Sequence, residues 1–211
     1  GMVNDKLGKK MSKSKGNVVS PIDLTDKYGA DALRIGLVIG NTPGNDIALA
    51  EDKIKGYKHF CNKIWNASRF VLSNIGDTTL DTPRPVLTER DEEILREFNL
   101  AIVSITSHYE NFRFHLAGEE LYHYFWNTFA DIIIEEMKSR LIVNAEQRGA
   151  DADMRGIDAR AAQWVLLQIL SMNIKMLHPF IPFITEELWG MLPKKSKSLL
   201  IIEQWPKAFQ I

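Results

Sequence analysis

Lysine and serine alternate over Lys10-Met11-Ser12-Lys13-Ser14-Lys15, and Gly16 and Asn17 follow. Ammonium groups neutralise phosphate charge, while hydroxyls and backbone N–H groups donate to phosphate oxygens, so the segment suits an oligophosphate. A loop that closes only as charge develops on those phosphates contributes to rate as well as to affinity. The spacing is not that of a Walker A loop. On composition alone, a solvated basic tail or a localisation signal fits at least as well.

A second candidate lies on a helical pattern from Lys55 to Ser73. At about 100° per residue, Phe60, Cys61, Ile64, Trp65, Ala67, Ser68, Val71 and Leu72 share one face, which is the expected core face. Lys55, His59, Asn62, Lys63, Asn66, Arg69, Phe70 and Ser73 fall on the other. Phe70 is the anomaly there, an aromatic ring among amides and cations. Unstacked RNA bases lie on such rings while amide and guanidinium groups meet their edges. The plainer reading is a wet basic face with Phe70 tucked under a neighbouring helix.

The elements that must carry these residues follow from local signals. The segment Asn4 to Val19 has no apolar period and reads as a loop. Ser20-Pro21 is a helix start, ended near Gly29, and a second short helix runs from Ala30 to Val38. Asn41 to Asn45 is a turn at a domain boundary. Helical periodicity then holds from Glu51. Thr88 with Asp91 opens the next helix, with Leu95, Phe98, Ile102, Ile105 and Tyr109 inward. A third covers Leu116 to Val143, with Leu121, Tyr124, Phe125, Phe129, Ile132 and Ile133 inward. After a polar loop, Gln147 to Gly156, a fourth covers Ile157 to Leu177. Pro182 precedes a short restart through Trp189, and Leu199 to Ile202 reads as a lone strand. The expected fold is all-α, a bundle of about four long helices behind a basic loop. Its expected divisions are 1–20 (loop), 21–49 (helical connection) and 50–211 (bundle).

Composition sets the limits. The chain has 211 residues, 45% hydrophobic and 25% charged, with a net charge of −1. That is ordinary for a globular protein. Residues 1–17 hold five lysines against Asp5, a net of +4, so positive charge is concentrated in the leader. Cys61 is the only cysteine, which excludes a disulfide framework and a cysteine zinc site, and no two of the five histidines are spaced i, i+4. No apolar run reaches the ~18 residues of a spanning helix and no leader resembles a signal peptide, so a cytoplasmic location without a membrane partner is expected. Gly1 before Met2 reads as a cloning remnant, with numbering that starts inside a longer natural protein.

The string K-M-S-K-S-K-G-N, the V-V-S-P after it and Tyr28-Gly29-Ala30-Asp31-Ala32-Leu33-Arg34 resemble the signature loop and following segment of class I aminoacyl-tRNA synthetases. Gly44-Asn45-Asp46-Ile47, the run Asn62 to Phe70 and Tyr124-Phe125-Trp126-Asn127 are similar to the valyl branch. The run Leu177 to Trp189 is shared with the isoleucyl and leucyl branches. The resemblance implies that Lys10 and Lys13 contact ATP phosphates during adenylate formation, with Met11, Ser12 and Ser14 shaping the loop. It implies that Lys63, Asn66, Arg69 and Phe70 contact the anticodon loop of tRNA(Val). ATP with Mg2+ and valine would bind through a catalytic domain N-terminal to this chain, which on its own would be inactive. An isoleucyl or leucyl parent, or a free-standing helical RNA-binding module, are the alternatives.

Overall fold

The computed structural model describes residues 1–42, 44–141 and 150–210, with residues 150–155 described as backbone only. The all-α expectation is borne out, and four long helical rods form the bundle. Two short helices, α1 (Pro21–Tyr28) and α2 (Ala30–Gly36), precede it. The Ser20 side chain accepts from the Asp23 N–H, with Pro21 at the first helical position, and Gly29 at φ 91° separates the two helices. The rods are α3 (Glu51–Asn74), α4 (Glu89–Glu110), a composite rod from Phe114 to Leu141, and α7 (Ala150–Leu177); α8 (Pro182–Met191) closes the chain's helical part. The Thr88 hydroxyl and the Asp91 carboxylate cap α4 reciprocally, as a threonine three residues before an acid allows.

Phe60, Ile64, Phe98, Ile105, Phe125 and Phe129 are fully buried together between the rods. A smaller cluster of Leu24, Ala32, Leu33, Leu49 and Ile54 joins α1 and α2 to the start of α3. The helices cross closely because Gly36 has no side chain: a Cβ there would sit 2.5 Å from Ile54 Cδ1. The leader is stitched to this connection by a parallel pair, β1 (Val3–Asn4) beside β2 (Ile47–Ala48). Asp46 locks it, accepting from Met2 N at 2.7 Å and from Asn4 Nδ2 at 3.1 Å.

Three expectations need correction. The composite rod is α5 (Phe114–His123), a π-helical segment (Tyr124–Ile133) and α6 (Ile134–Leu141) in place of one α-helix. The wider turn keeps Phe125, Phe129 and Ile133 inward at spacings of four, and Ile132 swings out to 47% exposure. Residues 199–202 form a 3-10 turn over Leu200–Ile202, not a strand. Among the described residues no strand edge lies beside them, and Glu186 accepts from the Leu200 N–H at 2.8 Å while the Leu200 side chain is buried. The fourth rod starts at Ala150, seven residues before the expected Ile157; the end expected at Val143 and residues 147–149 of the expected loop lie outside the described residues.

Candidate ATP loop and nucleic-acid interface

The lysine loop is held from behind and open in front. A turn at Asp5 to Gly8 brings Lys10 opposite Asn4, and the Asp5 carboxylate accepts from the N–H groups of Leu7 and Lys9 at 2.9 and 2.8 Å. Its other oxygen accepts from Asn17 Nδ2 at 2.8 Å, while Asn17 Oδ1 accepts from the Ser12 N–H at 2.9 Å. The Asn17 bond, with the two backbone donors, holds the Asp5 carboxyl below its usual range. Residues Lys13–Lys15 make one 3-10 turn ended by Gly16 at φ 65°, a left-handed position that favours glycine. Met11 Sδ faces the Val19 N–H at 3.4 Å, and the Ser12 and Ser14 hydroxyls lie 3.2 Å apart. Lys10, Lys13 and Lys15 are exposed. The backbone is thus fixed by Asp5 and Asn17, and the ammonium groups face solvent. Asn17 was visible in the sequence only as the residue after glycine, and its anchoring role needs the fold.

The connection is clasped to the bundle by the two segments that carried much of the resemblance. The Asp31 carboxylate accepts from the N–H groups of Phe183 (3.2 Å) and Ile184 (2.7 Å), capping the start of α8. Arg34 donates to the carbonyls of Phe180 and Pro179, each at 3.1 Å. Burial pushes the Asp31 carboxyl up, against those two backbone donors. His178 nearby is pushed down by burial, against the pull of Glu186 and Asp31.

On α3, Asn66 and Arg69 are exposed, as are Lys55, His59, Asn62 and Ser73. Lys63 is engaged: its Nζ donates to Asp131 at 2.6 Å and stands 5.8 Å from the Trp126 ring centre. Phe70 is not the free-standing ring expected from the wheel. It is half-buried, packed on the main core, with Lys138 Nζ 5.5 Å from its ring centre. The wheel treats α3 alone, whereas Lys138 from α6 lies over the ring. Lys138 in turn pairs with Glu135 at 2.6 Å. The face therefore belongs to two rods. Sequence reading missed its second half, the exposed His123, Asn127, Asp131 and Glu135, although their spacing of four is a stripe signal. Cys61 is partly buried, its thiol pushed up to about 12 by burial, which suits an inert apolar role.

Known proteins match both regions. Residues 91–211 match the family described as the anticodon-binding domain of tRNA ligase. Residues 1–50 match tRNA synthetases class I (I, L, M and V). The valine–tRNA ligase of Carboxydothermus hydrogenoformans is 40% identical over 98% of this chain and 22% of its own length. That of Aquifex aeolicus is 38% identical over 98% and 18%. The chain spans about a fifth of the length of these curated relatives. Among solved structures, a leucyl enzyme of Agrobacterium radiobacter K84 in a ternary complex with tRNA and LeuAMS superposes with a TM-score of 0.75, at 27% identity over 99% of this chain and 23% of that one. Mycobacterium tuberculosis methionyl-tRNA synthetase shares the fold, with a TM-score of 0.70 and 19% identity over 89% and 36%. With an anticodon-binding domain over more than half its length and a class I segment ahead of it, the chain belongs to the class I tRNA synthetase family.

Proposed function

We propose that this chain supplies the phosphate-gripping loop and the anticodon-binding bundle of a cytoplasmic valine–tRNA ligase. The whole protein would join valine to tRNA(Val) with ATP. The observation that carries the reading is the similarity to valine–tRNA ligases along 98% of the chain, which runs from the lysine loop through the α3 face. The divisions 1–20, 21–49 and 50–211 would be the loop, the connection and the anticodon-binding bundle.

In the activation step an oxygen of the valine carboxylate attacks the α-phosphorus of ATP. The bond to the bridging oxygen breaks, and pyrophosphate leaves with the electron pair. Lys10 and Lys13, free in front of their anchored backbone, would neutralise the charge that grows on the leaving phosphates. Met11, Ser12 and Ser14 would set the loop's shape. Mg2+ enters with ATP as part of the substrate. These five residues offer no carboxylate, so its ligands here would be phosphate oxygens. At the other end, Phe70 would stack a base of the anticodon while Lys63, Asn66 and Arg69 meet its neighbours.

Valine-dependent ATP–pyrophosphate exchange tests the loop's role. The chain alone should show none, whereas a form joined to a class I catalytic domain should. In that form Lys10→Ala or Lys13→Ala should lower the exchange rate about 100- to 1,000-fold, with little change in valine binding. Exchange by the isolated chain at a full enzyme's rate would refute the reading.

A further inference from the structure

The two-rod face has an unusual charge balance for a surface that would meet nucleic acid. Lys63 is held by Asp131 at 2.6 Å and Lys138 by Glu135 at 2.6 Å. A surface that grips phosphates presents uncompensated cations; here Lys63 and Lys138 already have carboxylate partners, while the exposed Lys55 and Arg69 make no ion pair among the described residues. Asp131 reaches the face from the π-helical segment, with its side chain 47% exposed. Only Oδ1 is engaged by Lys63; Oδ2 accepts no hydrogen bond among the described residues.

A carboxylate is acceptor-only. Beside a nucleobase it therefore selects an N–H edge and disfavours a carbonyl. Adenine N6 and cytosine N4 are such donors, whereas uracil and guanine present carbonyl oxygens at the matching positions. Valine codons begin with guanine and uracil, so the second and third anticodon bases of tRNA(Val) are adenine and cytosine, and both carry an exocyclic amine. We propose that Asp131 is a specificity-determining residue, whose free oxygen accepts a hydrogen bond from the exocyclic amine of one of these two bases. Lys63 orients the carboxylate and lowers the cost of bringing it against RNA. The proposal rests on the anticodon-binding reading of this face.

Binding of the 211-residue chain to a synthetic anticodon stem-loop, followed by fluorescence anisotropy, gives the test. Three RNAs are compared: the parent, one with purine riboside for the adenine, and one with 2-pyrimidinone riboside for the cytosine. Each replacement removes one amine and little else. For the wild-type chain one of the two should bind about tenfold more weakly than the parent, the loss expected for one hydrogen bond to a charged acceptor. In Asp131→Ala that penalty should shrink to less than about twofold, even though freeing Lys63 raises the affinity for every RNA at low salt. Asp131→Asn, which can donate, should gain affinity for a loop carrying uracil at the read position. Thermal melting confirms that each variant is folded. A tenfold penalty that persists in Asp131→Ala, or a wild-type chain indifferent to both amines, overturns the assignment. A wild-type chain that binds no stem-loop overturns the anticodon-binding reading itself, and the role of Asp131 with it.

Discussion

Replacing Phe70 separates packing from recognition, because the half-buried ring packs on the core while the exposed Lys138 side chain is what lies over it. Cutting a fully buried phenylalanine to alanine costs roughly 3–5 kcal/mol, so a half-buried one should cost roughly 1.5–2.5 kcal/mol. For a chain of this length each kcal/mol lowers Tm by roughly 2–4 °C, which gives a drop of about 3–10 °C for Phe70→Ala. Loss of the proposed base–aromatic stack should add a separate penalty in affinity of roughly 1–3 kcal/mol, about 5- to 150-fold. Phe70→Leu keeps most of the apolar contact and removes the π face. It should melt within about 3 °C of wild type and still lose at least about fivefold in affinity for a valine anticodon stem-loop. Calorimetric melting and anisotropy titration on the same two variants give both quantities. Phe70→Leu binding with wild-type affinity while folded would refute the stack. A Phe70→Ala chain as stable as wild type would refute the packing described for the ring.

Other residues carry separate expectations. Asp31→Ala removes the cap of α8, so Tm should fall by about 1–8 °C, from about 0.5–2 kcal/mol of lost capping; Asp31→Asn, which keeps one acceptor oxygen, should lose less, and equal losses would contradict the cap. Asn17→Ala should speed hydrogen exchange of the Ser12 amide while leaving bundle melting unchanged, and unaltered exchange would show that the loop does not hang on Asn17. The Asp91 carboxyl is pushed up by burial, but Arg140 and Thr88 outweigh this and hold it below its usual 3.8. A depressed carboxyl pKa contributes stability that is present above the unfolded value and lost as pH falls through the folded one. Melting temperature should therefore fall steeply below about pH 4, and Asp91→Asn should be less stable at neutral pH with a shallower fall; parallel curves for the two proteins would contradict this.

What was legible in the sequence is local. Ser20-Pro21 and Thr88 with Asp91 announce helix starts through a side chain and a backbone N–H three residues away. The i, i+3, i+4 spacing of Phe60, Ile64, Ala67 and Val71 fixes the buried face of α3. What was not legible depends on distant partners. The Asp31 carboxylate meets N–H groups about 150 residues away, and Arg140 reaches Asp91 across the bundle at 2.6 Å. The π-helical winding of Tyr124–Ile133 leaves an apolar pattern much like that of an α-helix until Ile132 must choose a side. For the candidate sites, the lysine loop was explicit in its residue string, but its anchor on Asp5 was not. The proposed anticodon face was half visible. A wheel of one helix cannot show that Lys138 crosses Phe70 or that Asp131 occupies Lys63.

Whether the bundle chooses its tRNA by the anticodon is tested most directly by transplantation. The 211-residue chain is titrated with tRNA(Val), tRNA(Ile), and tRNA(Ile) carrying the valine anticodon, at one fixed salt concentration because RNA affinity depends strongly on salt. Preference for tRNA(Val) over tRNA(Ile) of at least about tenfold, transferred to tRNA(Ile) along with the anticodon, is the predicted result. Equal binding to all three, or a preference that stays with the tRNA body, would contradict it.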